Sequence, residues 1–139
     1  MTRTRTALAS TVALGAVLSA YLSWVHWSGE LALCLGAGGC EVVQASRFAT
    51  VGPIPVAAIG LAGLLALLAT VLVWTPARPW AGTVAFGLSL AAALYVGYLT
   101  YLELFVIGAI CPWCLAVAVC AVVSLTLVVR EIALEGVPL

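Results

Sequence analysis

The placement of charge constrains this chain more than any other feature. Residues 6–29, 48–77, 79–102 and 104–129 carry no formally charged side chain. A helix needs about 20 mostly apolar residues to cross the hydrocarbon of a bilayer, so each stretch has room for one crossing. Charged residues make up 7% of the chain, against roughly 25% in soluble domains, which is too few to cover a water-facing surface. Lys, Asp and Asn are absent and the formal net charge is zero, which excludes the clustered cations that nucleic acid binding requires. The expected helices are 7–27, 54–74, 80–105 and 112–130. The first has about 20 apolar residues, longer than the core of a cleaved signal peptide, and is expected to stay in the protein. The break between the second and third falls at Thr75-Pro76-Ala77-Arg78-Pro79, where proline lacks an amide donor and clashes with a preceding helical turn. The reading is a single all-α membrane domain over 1–139, an integral membrane four-helix bundle with the lipid bilayer as its first partner.

Arginine placement sets an expected orientation. With the N-terminus inside, Arg3, Arg5, Arg78 and Arg130 lie on the cytoplasmic side and only Arg47 lies outside. Both termini are then cytoplasmic. The segment 28–53, with Cys34 and Cys40, and the turn before the fourth helix, with Cys111 and Cys114, share the outer face by helix parity. In bacteria that face is oxidising, and disulfides form and persist there.

The Cys34–Cys40 segment holds Gly36, Gly38 and Gly39. Glycine opens backbone angles closed to other residues, so the two Cα atoms can reach the roughly 7 Å that a disulfide needs and can also part. A mobile relay and a static loop staple both fit this segment. Val42, Val43 and Phe48 alternate with Glu41, Gln44 and Arg47, the pattern of a short interfacial lid helix in the first extracytoplasmic loop. Gly52, Pro53 and Pro55 then turn the chain into the second helix, with Pro55 expected in its first turn.

Cys111-Pro112-Trp113-Cys114 is a CxxC motif. Pro112 suits the first position of a helix, and the three-residue spacing sets both sulfurs on one face of its first turn. The helix dipole there stabilises a thiolate, the nucleophile of disulfide exchange. Two pairs on one face can therefore hand a disulfide from one to the other. Four cysteines can also ligate zinc, but the first pair is spaced CxxxxxC and faces an oxidising compartment, so no metal site is expected. Cys120, deep in the fourth helix, reads as a small buried hydrophobe. His26 reads as interfacial. Glu103, acidic within a membrane segment, is a functional candidate for proton handling, although its place near the outer end of the third helix would also let it reach water. Trp24, Trp27, Trp74, Trp80 and Trp113 fall near helix ends, as an aromatic belt does.

In order and joint spacing these features resemble the vitamin K epoxide reductase family in its short bacterial form. The likeness covers nearly the whole chain and rests on Cys34, Cys40, Ser46, Ile54-Pro55-Val56 and Cys111-Pro112-Trp113-Cys114. It implies a four-helix bundle around a quinone of the ubiquinone, menaquinone or vitamin K type. The loop cysteines Cys34 and Cys40 would act as shuttle and Cys111 and Cys114 as redox centre, with Cys114 nearest the quinone and Ser46 beside it. It further implies a bacterial plasma (inner) membrane enzyme, a quinone-dependent thiol oxidoreductase that generates disulfides outside the cytoplasm. Its electrons would come from an extracytoplasmic thioredoxin-like (DsbA-like) protein, expected as a separate partner because the chain ends about nine residues past the fourth helix. Two positions depart from the family. Pro53 stands where glycine is usual. Ala118 stands where vertebrate members carry tyrosine, so vitamin K epoxide is not taken as the expected substrate. The DsbB type of quinone-coupled generator has its CxxC in the first outer loop and a wider pair in the second, the reverse of the order here. A structural or zinc-binding membrane protein with non-cycling cysteines is the alternative, and a relay run outward as reductant is a third reading.

Overall fold

The computed structural model describes residues 3–28, 50–108 and 112–136. Four long helices dominate it: α1 (Arg3–Ser28), α2 (Val56–Val73), α3 (Trp80–Tyr101) and α4 (Pro112–Glu135). α3 runs on into a widened, π-helical turn over Leu102–Ile107. All four spans are long and apolar enough to cross a membrane. α1 and α3 each pack against both α2 and α4, so consecutive helices run up and down around a ring.

The tight apolar core lies toward one end of this ring. Leu8, Val12 and Ala16 of α1 meet Leu64, Leu67 and Val71 of α2, Ala81 and Ala85 of α3, and Val128 and Ile132 of α4. Lipid tails are as apolar as these side chains, so close packing and satisfied polar groups hold such a bundle together, rather than transfer out of water. Small residues permit the close packing. A Cβ on Gly15 would stand 3.2 Å from Cys120 Cβ and 3.3 Å from Leu64 Cδ1, so α1 touches α2 and α4 there. Gly15→Val is therefore expected to cost about 1–3 kcal/mol through overpacking, read as a lowered unfolding midpoint in detergent. A Cβ on Gly87 would meet nothing within 4 Å, and Gly87→Ala should leave that midpoint unchanged or raise it. Buried hydroxyls bond to their own helices: Ser23 donates to the Ser19 carbonyl (2.8 Å) and Ser124 to that of Cys120 (2.7 Å), so neither presents a bare donor to lipid.

The helix ends nearest the core differ from expectation. α1 starts at Arg3 rather than residue 7, and α4 runs to Glu135 rather than 130. The cause is a buried clasp. Arg5 is only 7% exposed and Glu131 1%. Arg5 Nη1 donates to the Trp74 carbonyl (2.7 Å), Nη2 lies 3.2 Å from Glu131 Oε1, and Nη2 also donates to Glu135. The guanidinium sits over the Trp74 ring, 5.1 Å from its centroid, and the Trp74 indole N–H donates to Glu135 (3.0 Å). These charges compensate one another, so they do not mark helix ends. Trp74 is thus a core residue, 1% exposed, and not part of the belt. Trp24, Trp27 and Trp80 are exposed as a belt requires.

At the other end, Thr50 pairs with Pro55 and Val51 with Ile54 in a two-residue antiparallel ladder. Gly52, at φ 63°, supplies the positive angle its turn needs. Pro55 consequently stands before the first turn of α2, at its cap, and not within that turn. The π-helical turn ends at Gly108, φ 72°, whose N–H donates to the Glu103 carbonyl.

Candidate functional site

α4 opens with Pro112, so its first turn carries Trp113 and Cys114. Cys111 precedes it directly and lies outside the described residues, as do Cys34, Cys40, Ser46 and the expected lid helix. Trp113 turns toward α1, where its ring packs on Tyr21 with centroids 5.1 Å apart. Cys114 is half-buried.

Val117 and Ala121 follow Cys114 by three and seven residues, so the three share one face of α4. Both line a cavity of about 220 Å³ between α2, α3 and α4. Ile59, Gly60, Gly63 and Leu64 of α2 and Leu88, Ala91, Ala92, Tyr95 and Val96 of α3 complete it. Ile59, Gly63 and Ala91 are exposed, so the cavity reaches the lipid-facing surface. Tyr95 supplies the one side-chain hydroxyl among these lining residues. Cys114 therefore stands one helical turn, about 4.5 Å along the axis, from Val117 in the lining of an apolar recess open to the membrane.

Cys120 is buried beside Gly15, where a small apolar side chain is what the packing admits. Glu103 does not simply reach water: it is 5% exposed and sits in the first turn of the π-helical segment. Such segments recur at functional sites. The recess residues of α2, α3 and α4 were not recognisable as a site from sequence. Gly60 and Gly63 are the one signal there, two small residues on consecutive turns where the backbone can leave room.

These features define an integral membrane protein whose CxxC cysteine overlooks a lipid-accessible apolar recess. The sequence matches the model of the vitamin K epoxide reductase family over residues 6–129 of its 139, and the chain belongs to that family. Its general function is accordingly redox chemistry of the vitamin K epoxide reductase kind.

Proposed function

We propose that this protein is a quinone-linked, disulfide-forming thiol oxidoreductase of the bacterial plasma membrane. Both termini face the cytoplasm and both cysteine pairs face outward. A reduced thioredoxin-like protein attacks the Cys34–Cys40 disulfide through its thiolate and leaves oxidised. A freed loop thiolate then attacks the Cys111–Cys114 disulfide by the same exchange chemistry. Two electrons have then reached the Cys111–Cys114 pair.

The observation that carries this reading is the place of Cys114, one turn from the recess, in a chain of this family. The recess suits a quinone. Ile59, Leu64, Leu88, Val96 and Val117 offer apolar contact to a quinone ring, Tyr95 offers one hydroxyl, and the open side leaves an isoprenoid tail to the lipid. Mostly apolar lining with few polar groups is how ligand pockets combine affinity with orientation. A quinone bound there accepts two electrons and two protons. Ser46 is proposed to stand beside it.

Gly63 tests the recess. A Cβ there would meet nothing within 4 Å, so Gly63→Leu adds bulk at the recess without forcing the helices apart. We expect its KM for a soluble quinone to rise about tenfold, about 1.4 kcal/mol of lost binding, with the unfolding midpoint unchanged. An unchanged KM would place the acceptor elsewhere.

A further inference from the structure

Glu103 and Cys114 stand at the same height in the bundle. The clasp provides a common floor. A Cβ on Gly82 of α3 would come within 3.0 Å of the Trp74 ring, and that ring's N–H bonds to Glu135 of α4 (3.0 Å). Glu103 lies 21 residues beyond Gly82, and Cys114 lies 21 residues before Glu135. At 1.5 Å per residue both reach about 31 Å above that floor.

Each also lies just beyond the recess on a helix that lines it. Tyr95 lines the recess, and Leu99 and Glu103 follow it at successive four-residue steps on the same face of α3. Cys114, Val117 and Ala121 form a row on α4, which packs along the Trp80–Tyr101 stretch of α3 that leads up to Glu103. Glu103, in the widened turn that begins at Leu102, is buried at 5% exposure. Elsewhere near this level the described titratable groups are Tyr21 and His26 on α1 and Tyr98 and Tyr101 on α3, the last two exposed outward. The other described carboxylates, Glu131 and Glu135, belong to the clasp at the far end.

We propose that Glu103 carries the Cys114 proton during quinone reduction. This rests on the quinone reading above. When Cys111 and Cys114 close to a disulfide, two S–H bonds break and one S–S bond forms. Two electrons and two protons pass to the quinone, leaving the quinol. Glu103 accepts the Cys114 proton and releases it toward the acceptor, ending as the carboxylate it was. It is neither oxidised nor reduced.

The role gives two readouts that move in opposite directions. A nearby carboxylate opposes a thiolate, as like charges do. Glu103→Gln should therefore speed iodoacetamide alkylation of Cys114 in the dithiol-reduced full chain, followed by mass spectrometry, by roughly tenfold, the coupling that marks an interacting pair. The same variant should lose about 10²-fold in kcat for a soluble quinone, with KM unchanged, and Glu103→Asp should recover part of the loss. A merely structural role would not raise thiol reactivity while lowering kcat. Unchanged alkylation together with unchanged kcat overturns the proposal. If the wild-type protein reduces no quinone, the quinone reading falls, and the alkylation arm alone decides whether Glu103 and Cys114 share a proton: a faster rate retains the coupling and an unchanged rate removes it.

Discussion

Cys114→Ser is expected to lose at least about 10³-fold in quinone reduction, reaching the rate without protein, because removing a nucleophile removes the whole chemical step. Serine differs from cysteine by one atom and the position is half-buried, so the unfolding midpoint should stay where it is. Quinone absorbance followed with a reduced thioredoxin-like protein as donor measures the first, and thermal unfolding in detergent the second. Cys120→Ala is the comparison. Cys120 is buried against Gly15 of α1 and is not among the residues that line the recess, and its loss should leave turnover intact. A Cys114→Ser protein that still turns over would take this cysteine out of the electron path.

The second large effect belongs to the clasp. Arg5→Ala strips the guanidinium from Glu131 and Glu135 and the donor from the Trp74 carbonyl. Breaking a buried ion pair on one side costs about 3–5 kcal/mol, because the remaining charge stays buried without compensation. Both Arg5 and Glu131 are well shielded from solvent, so that range applies without a discount for screening. Denaturant unfolding in mixed micelles should show it. Changing all three charges at once, with Arg5→Met, Glu131→Gln and Glu135→Gln, should recover most of the loss, since no unpaired charge is then left. Equal loss in the single and triple variants would mean that packing of the Arg5 stem, and not charge, holds this end together.

The four spans were legible because lipid leaves few alternatives: a chain with so little charge must hide every backbone amide in helices. Their ends were less legible. Charge served as the boundary signal, and at Arg5, Glu131 and Glu135 it misled, because Arg5 pairs with both glutamates across more than a hundred residues of chain. Trp74 fell into the belt for the same reason: nothing local says that it lies under a guanidinium. Pro55 was placed one step too far into α2 because the Thr50–Pro55 ladder depends on Gly52 adopting a positive φ, which the dipeptide Gly52-Pro53 permits without requiring. At the site, the CxxC spacing placed Cys114 on the first turn of α4, where it is found. The recess was hidden, since Ala92, Val96, Val117 and Ala121 look like any lipid-facing residues until three helices bring them together. Glu103 was visible as an oddity, but its burial at 5% exposure was not, because a place near the outer end of the third helix suggested that it reaches water.

Electron transfer from thiol to quinone is the step on which the proposed function depends. The direct measurement uses the purified full chain in detergent, a reduced thioredoxin-like protein and a soluble quinone, with donor disulfide and quinol counted together. One quinol is expected for each donor disulfide formed, with both lost in Cys34→Ser and in Cys111→Ser. No quinone consumed with several quinones and donors, in a protein whose cysteines stay locked or hold zinc, would contradict it and make the cysteines structural.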